Sequence, residues 1–223
     1  PGLPGANMSQ KIRFLAALAV LLLAAPLAAQ MSGTYSVRAA GGGTWTDLGA
    51  AFDQLEAQGV NGAVIIEVYN GTYTSTASYA LGSNGTTATP VSGVSASNTI
   101  TIRGASGQTP IISGSGAGSL YSGTNYLGTL CINQVSYVTI EGLRITGGTN
   151  FGLHVYAGSA VTNFTARKNI VYNCAGFGIF CYGNAGPLTN CTVEHNLLYN
   201  CQCTGSFGGL ANGALCFRRP STN

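Results

Sequence analysis

Residues 164–174 read FTARKNIVYNC and residues 191–201 read CTVEHNLLYNC, so one string returns after 27 positions. The second copy keeps Thr, two Asn, Tyr and Cys in place. Shorter versions occur earlier, as ITIRG at 100–104 and VTIEG at 138–142. The threonines of the string are spaced 26 and 27 residues apart: Thr139, Thr165 and Thr192.

A second segment repeats with nearly the same interval. It reads GLHVY at 152–156, GIFCY at 178–182 and, more loosely, ALCF at 214–217. Short apolar strands with a period near 27, broken by Gly, Asn, Ser and Thr, are typical of a β-solenoid. Each turn of the chain then forms one rung, and each strand lies about 4.8 Å from its counterpart in the next rung. The pattern therefore predicts an all-β solenoid.

Strand alternation assigns each repeated position to the interior or the exterior of such a solenoid. Positions that are apolar or weakly polar in every rung are predicted to point inwards. They are Val138 and Ile140 with Phe164, Ala166, Cys191 and Val193; Leu143, Ile170 and Leu197; Ile145, Tyr172 and Tyr199; Leu153, Ile179 and Ala214; and Val155, Cys181 and Cys216.

A charged column is predicted on the outside. It alternates in sign from rung to rung, through Arg103, Glu141, Arg167 and Glu194. Alternation suits stacked strands, in which like charges about 5 Å apart would repel each other. A catalytic set is the alternative interpretation. We interpret the column as a structural charge ladder, because complementarity between rungs already explains these residue types.

Two asparagines mark the bend after this strand. Asn169 and Asn196 stand where we align Gly104 and Gly142 of earlier rungs, and both residue types tolerate a left-handed backbone. Stacked Asn side chains can also hydrogen-bond along the column. An amide ligand for sugar or metal is the alternative, but turn chemistry accounts for both residues.

The chain has seven cysteines, an odd number that leaves at least one thiol unpaired. Cys174 with Cys201, and Cys181 with Cys216, are predicted to share columns at a spacing that a disulfide accepts. Buried thiols that pack as small apolar groups are the equal alternative. CQC at 201–203 is not the usual zinc spacing, so no metal site is predicted.

The outward positions of the second segment carry aromatic rings. The residues are His154, Tyr156, Phe180, Tyr182 and Phe217, together with Leu215. Rings stacked over three rungs could form a platform for sugars. Alternatively, the insertion at 118–128 or a neighbouring chain covers them, because apolar patches of that size usually contact something.

The amino end has the pattern of a secretory signal peptide. After Met8, two basic residues precede an apolar run at 14–29, and cleavage is expected after Ala29. We interpret 1–7 as an upstream extension or scar, 8–29 as the signal, 30–62 as a cap that includes a helix at 47–58, and 63–223 as rungs. Thr46 and Gly59 are the predicted helix caps. These features predict a secreted or cell-surface protein whose only membrane contact is the cleaved signal.

Composition agrees with a β-rich chain of many tight turns. Charged residues make up 7% of the chain and glycines number 33 of 223. The net charge of +3 arises mainly near the two ends, so no basic face for nucleic acid is visible. The sequence stops just after ALCFRR without a closing cap, and we expect it to be part of a longer solenoid.

A family resemblance follows from these motifs. The early helix before IIEVYNGTY, the NTITIRG rung and the Asn/Tyr/Asn/Cys rungs resemble the right-handed parallel β-helix of pectate-lyase-like proteins. The resemblance runs from about Gly33 to Phe217 and implies that the amino-terminal helix caps a right-handed solenoid. It also implies a secreted bacterial protein.

The catalytic pattern of that family is absent from the residues. Its lyases use calcium held by clustered Asp, and its hydrolases use grouped Asp, whereas this chain has only Asp47 and Asp53, both in the predicted helix. The rungs contain Glu67, Glu141 and Glu194. We therefore predict no catalytic residue and no cofactor.

Two functions remain open from the sequence. The first is a non-catalytic surface or adhesion module that contacts polysaccharide or a cell-surface glycan. The second is the amino-terminal part of a polysaccharide lyase or glycoside hydrolase of the same fold.

Overall fold

The computed structural model describes residues 29–82, 88–114, 128–202 and 214–218. One helix and eighteen strands lie within these ranges. In chain order they are β1 (Met31–Val37), α1 (Leu48–Gln58), β2 (Val60–Val68), β3 (Thr72–Ser75), β4 (Tyr79–Leu81), β5 (Ile100–Gly104), β6 (Ile111–Gly114), β7 (Gly128–Asn133), β8 (Val138–Glu141), β9 (Arg144–Thr146), β10 (Phe151–Ala157), β11 (Val161–Thr162), β12 (Thr165–Arg167), β13 (Ile170–Cys174), β14 (Phe177–Gly183), β15 (Leu188–Thr189), β16 (Thr192–Glu194), β17 (Leu197–Cys201) and β18 (Leu215–Arg218).

The strands form three long parallel sheets. The first sheet has the order β1-β2-β5-β8-β12-β16, the second β3-β6-β9-β13-β17 and the third β4-β7-β10-β14-β18. Consecutive rungs contribute one strand to each sheet, and β11 pairs with β15 in a short fourth ladder. This topology confirms the predicted right-handed parallel β-helix. The signal peptide predicted at 8–29 lies almost entirely outside the described residues.

Helix α1 packs at the amino end of the coil, against β1 and β4. Its buried face consists of Leu48, Ala51, Phe52 and Leu55, as helical spacing predicts. The Oδ1 atom of Asp47 accepts a hydrogen bond from the Ala50 amide at 3.0 Å, so Asp47, and not Thr46, is the N-cap. Gly59 ends the helix with φ of 68°, as predicted.

The first sheet has the predicted interior. Ile66, Ile102, Ile140, Ala166 and Val193 lie in register, and the first four are fully buried. The column of Val138 and Phe164 beside it is also buried. Burying each large side chain stabilises the fold by about 1.5–3 kcal/mol. This column therefore holds successive rungs together along the axis.

The second sheet corrects the predicted interior by one residue. Its inward column is Ile112, Ile145, Val171 and Leu198. Val171 is fully buried, whereas Ile170 and Tyr172 are half-buried. In the next rung Leu197 and Tyr199 are exposed by 55% and 43%. The prediction that Ile170, Leu197, Tyr172 and Tyr199 fill the interior is therefore wrong.

The error has a physical origin in the length of the repeat. From the β8 rung to the β12 rung the interval is 26 throughout, so Ile145 pairs with Val171, and not with Tyr172. The extra residue of the next rung enters between β14 and β15, where Ala157 matches Gly183 but Val161 matches Leu188. Because residues 170–172 are all apolar, alternation did not reveal the shift, and a slip of one residue exchanges the two faces.

The third sheet shows a second slip, in its last strand. Leu153 and Ile179 continue into Leu215, and Val155 and Cys181 continue into Phe217. The predicted partners Ala214 and Cys216 are each one residue away. Cys216 instead aligns with Phe180 on the outer side of the sheet. Cys181 and Cys216 therefore do not share a column.

An asparagine ladder closes the corner between the first and second sheets. The buried Asn169 side chain donates to the Ile140 carbonyl at 2.9 Å and accepts from the Leu143 amide at 3.0 Å. Asn196 repeats this one rung later, donating to the Ala166 carbonyl and accepting from the Asn169 amide, each at 2.9 Å. The two side chains also hydrogen-bond to each other at 3.0 Å. The ladder satisfies backbone groups that the bend leaves without strand partners.

The left-handed backbone at this corner belongs to a different residue from the one predicted. Lys168 has φ of 56° and His195 has φ of 52°, and both align with Gly142 at 66°. Asn169 and Asn196 follow them. The asparagines are therefore needed for their side-chain hydrogen bonds, and the preceding residue makes the turn.

The predicted charge column is in register and extends one rung further towards the amino end. It runs through Glu67, Arg103, Glu141, Arg167 and Glu194. Arg103 bonds to Glu67 at 2.7 Å, and Arg167 bonds to Glu141 at 2.9 Å. Lys168 adds a second contact to Glu141 at 3.3 Å. Arg167 therefore pairs with the preceding rung rather than with Glu194.

Replacing Asn169 by Ala is expected to lower the free energy of unfolding by about 2–4 kcal/mol, because a buried amide and a buried carbonyl lose their partners. Asn196→Ala should cost only about 1 kcal/mol, since its site is partly open to water. Denaturant unfolding measures both. Equal losses for the two variants would contradict this account.

The corrected register is tested by neighbouring substitutions in β13. Val171→Asn is expected to destabilise by about 2–4 kcal/mol, because it buries an amide without partners. Ile170→Asn should stay within about 1 kcal/mol of the unsubstituted protein. Denaturation midpoints for the pair give the answer, and the reverse order would restore the register predicted from the 27-residue period.

Acid should weaken the contribution of Glu141 to stability. Partial burial raises the pKa of Glu141, but hydrogen bonds and charge from Arg167 and Lys168 outweigh it, and the net pKa is lowered. A lowered pKa stabilises the fold above the unfolded value of about 4.3, and that stabilisation disappears as the pH falls through the folded value. The difference in melting temperature between the unsubstituted protein and Glu141→Gln should therefore shrink from pH 7 to pH 3.

Glu194→Gln is the matched control, because Glu194 forms no ion pair with Arg or Lys among the described residues. Its melting temperature should follow the unsubstituted protein across the same range. A constant difference for Glu141→Gln at every pH would argue against the ion pair.

Candidate functional site

The aromatic positions predicted to form an outer platform are largely buried. His154, Tyr156 and Phe180 are at most 3% exposed, and Tyr182 is half-buried. They lie on the outer side of the third sheet, as predicted, but solvent does not reach them. A sugar could not stack on these three rings, so the predicted platform is wrong for them and the alternative of a covered face is correct.

These rings form a packed cluster of their own. Phe180 stacks on Phe151 with centroids 4.5 Å apart, and His154 lies 4.8 Å from Phe151. The Nδ1 atom of His154 lies 3.9 Å from the Sγ atom of Cys131. Burial raises the pKa of this thiol to about 12, so Cys131 stays protonated near neutral pH. The geometry is that of a second, smaller core outside the coil.

Tyr182 and Phe217 have other environments. The hydroxyl of Tyr182 donates to Asn184 at 2.9 Å, and Asn184 donates to the hydroxyl of Tyr156 at 2.7 Å. This bridge fixes Tyr182 at the margin of the cluster. Phe217 belongs to the inward column of Cys181 and is 50% exposed in the last described strand. It therefore does not extend the predicted outer face.

The second sheet exposes a different aromatic surface. Tyr172 and Tyr199 point outwards from β13 and β17, with ring centroids 5.3 Å apart and planes 14° apart. We call this pair the tyrosine ladder. No hydrogen bond between described residues engages either hydroxyl. Because one face of each stacked ring is turned towards the other, the exposed ring surface of the pair lies mainly on Tyr199.

Arg144 and two aliphatic residues border the tyrosine ladder. The guanidinium of Arg144 lies 5.5 Å from the centroid of the Tyr172 ring, within cation–π range. Ile170 and Leu197 align with Arg144 in the neighbouring outward column. An exposed apolar and aromatic strip with a positive charge at one end results. The repeated Tyr was visible in the sequence, and the 26-residue threonine interval was the signal that would have placed it outside.

Amide groups stand beside the tyrosine ladder. Asn173 and Asn200 follow the tyrosines, and the Asn200 amide donates to the Asn173 side-chain oxygen at 2.5 Å. Both are exposed, with φ of 53° and 52°. They border a cavity of about 380 Å³ whose lining is Asn173, Cys174, Ala175, Asn200 and Gln202. Aromatic rings and hydrogen-bonding amides thus share one edge of the coil.

The carboxylates of the described residues already have structural partners. Asp47 caps α1, Glu56 accepts from the Gly82 amide, and Glu67 and Glu141 are paired with arginines. Glu194 lies 4.0 Å from the His195 ring. Within the described ranges no three His, Cys, Asp or Glu side chains converge on a point where a metal could bind. No helix there has the length and hydropathy to span a bilayer.

The cysteines divide into two groups. Cys174 and Cys201 lie in register on β13 and β17, as predicted, and both are thiols in the structure. Cys181 and Cys216 occupy opposite faces of the third sheet, so that predicted pair is not brought together in one column. Cys203 lies outside the described residues.

Comparison with known proteins agrees with the fold. Residues 57–214 match the family model of the right handed beta helix region. The solved structures include a similar chain, the alginate lyase from Paenibacillus sp. str. FPU-7, with 17% sequence identity and a TM-score of 0.39. The similarity covers 72% of this chain and 58% of that chain, so this chain spans well under two thirds of the lyase. No curated protein matches.

The matched region covers most of the chain and contains every rung described above. Both the topology and the family model were reached without reference to activity. The chain belongs to the right-handed β-helix family.

Proposed function

We propose that this β-helix is a non-catalytic, exported module that contacts polysaccharide through the tyrosine ladder. The observation that carries the proposal is the pair of outward rings on β13 and β17, of which Tyr199 is 43% exposed. Exposed aromatic patches bordered by polar groups are typical of binding surfaces. Export is proposed from the signal-like segment at 8–29.

The composition of the surface favours a sugar chain as the ligand. Tyrosine provides a large, rigid and amphipathic contact at low cost in conformational entropy. The outer face of Tyr199 could continue the ladder by stacking on the apolar face of a sugar ring. Asn173 and Asn200 could exchange hydrogen bonds with the sugar hydroxyls, and Arg144 could contact an acidic group. A cavity of about 380 Å³ at this edge falls in the size range of small-ligand sites.

The non-catalytic part of the proposal is supported by the roles of the acidic residues. Glu67 and Glu141 are held by arginines, and Glu194 lies two rungs from Glu141 with Arg167 between them. Acid–base cleavage of a glycosidic bond needs two carboxyl groups that face one substrate. The tyrosine ladder lies on another sheet from these carboxylates.

Binding to polysaccharides should weaken when the ladder is truncated. Tyr199→Ala is expected to reduce affinity about 3–10-fold, because an aromatic contact contributes about 0.5–1.5 kcal/mol. Tyr199→Phe should keep most of the affinity, since the ring remains. Affinity electrophoresis through gels that contain neutral or uronate polysaccharides measures all variants at fixed salt.

Phe217→Ala is the matched control, because Phe217 is similarly exposed but lies on the third sheet. Its migration should follow the unsubstituted protein. Failure of every polysaccharide to retard the unsubstituted chain would overturn the binding proposal. Release of oligosaccharide products, with or without calcium, would overturn the non-catalytic part and favour the lyase or hydrolase alternative.

A further inference from the structure

Two cysteines occupy one register position on consecutive rungs. Cys174 ends β13 and Cys201 ends β17, and the two residues are paired across the parallel ladder. Strand spacing places their Cα atoms about 4.8 Å apart. Disulfides accept Cα separations of about 4.4–6.8 Å. Because equivalent residues of in-register parallel strands point to the same face, both Sγ atoms lie on one side of the sheet.

The two thiols already interact. They hydrogen-bond to each other, which lowers the pKa of Cys201 to about 7. The same hydrogen bond, followed by burial, raises the pKa of Cys174. Cys201 is half-buried, whereas Cys174 is only 2% exposed. A partly accessible thiolate beside a buried thiol is the arrangement of an attacking and a resolving cysteine.

A route from solvent leads to this pair. The cavity of about 380 Å³ described above has Cys174 in its lining and is bordered by the exposed Asn173 and Asn200. A small disulfide such as oxidised glutathione can approach from this side. The site lies at the end of the strands, where the backbone is free to adjust to the geometry of a bridge.

Other described cysteines do not offer this combination. Cys181 and Cys216 lie on opposite faces of the third sheet. Cys131 is fully buried next to His154. Cys191 is half-buried, and burial raises the pKa of its thiol, so it is a poorer nucleophile near neutral pH.

We propose that Cys174 and Cys201 form a disulfide that joins two consecutive rungs, by exchange with a small or protein disulfide. The thiolate of Cys201 attacks one sulfur of the oxidant and displaces the other as a thiolate, forming a mixed disulfide. Cys174, on losing its proton, attacks the Sγ atom of Cys201 and displaces the second half of the oxidant. With oxidised glutathione the protein dithiol is oxidised by two electrons, and two molecules of reduced glutathione leave with its two protons.

The bridge has a structural consequence. It closes a loop of one complete turn, from 174 to 201, and so restricts the unfolded chain. It also holds β17, which carries Tyr199, against β13. For a loop of this length the oxidised protein should melt about 5–12 °C above the reduced protein.

The test maps the thiols of the full chain by mass spectrometry. The reduced protein is incubated with oxidised glutathione, remaining thiols are alkylated, and peptides are analysed before and after reduction. The expected result is a linked pair of peptides that contain Cys174 and Cys201, with Cys131 and Cys191 alkylated. Cys201→Ser should abolish the linkage and the rise in melting temperature.

Cys191→Ser is the matched control, since it removes a half-buried thiol and leaves the pair intact. Cys203→Ser addresses the neighbouring thiol, and both controls should keep the linkage. Full alkylation of Cys174 and Cys201 after oxidation would overturn the proposal. A persistent glutathione adduct on Cys201, or a bridge from either residue to Cys203 or Cys216, would overturn it equally. None of these readouts depends on polysaccharide binding.

Discussion

In-register hydrogen bonding between parallel rungs is the constraint on which the rest of this molecule depends. Because every strand lies about 4.8 Å from its counterpart, each residue type must tolerate or favour a close neighbour at the same position. Identical apolar residues meet this requirement by packing, and charged residues meet it only by alternating in sign. The run from Glu67 to Glu194 shows that alternation across five rungs. Local chemistry in this protein is therefore read along columns rather than along the chain.

The same constraint accounts for the asparagine ladder. A turn between two sheets leaves backbone amides and carbonyls without strand partners, and these groups are costly when buried. Asn169 satisfies an amide and a carbonyl of the previous rung, and Asn196 does the same one rung later. The preceding Lys168 and His195 take the left-handed backbone. Repetition of Asn in the sequence thus records a hydrogen-bond requirement.

Stacking also creates the surface to which we assign function. Two tyrosines at one register position stack with their rings nearly parallel, and Arg144 borders them. The rings of the third sheet follow the same rule, but they are buried and form a small core. Chemistry of the residue type alone does not separate these two outcomes. Exposure decides which aromatic column can meet a ligand, and only the second sheet has it among the described residues with paired rings.

The sequence by itself determined the repeat, the solenoid class, the amino-terminal helix and the sign pattern of the charged column, because these features follow from composition and period. It did not determine which face Ile170 to Tyr172 present, since three consecutive apolar residues fit either alternation and the repeat changes from 26 to 27 residues. The tertiary structure decided this through the place of the extra residue, between β14 and β15. A shift of one residue then moved Tyr172 and Tyr199 from the expected core to the surface. Only the packed fold could also show that His154 and Phe180 are covered, because burial depends on residues distant in the chain.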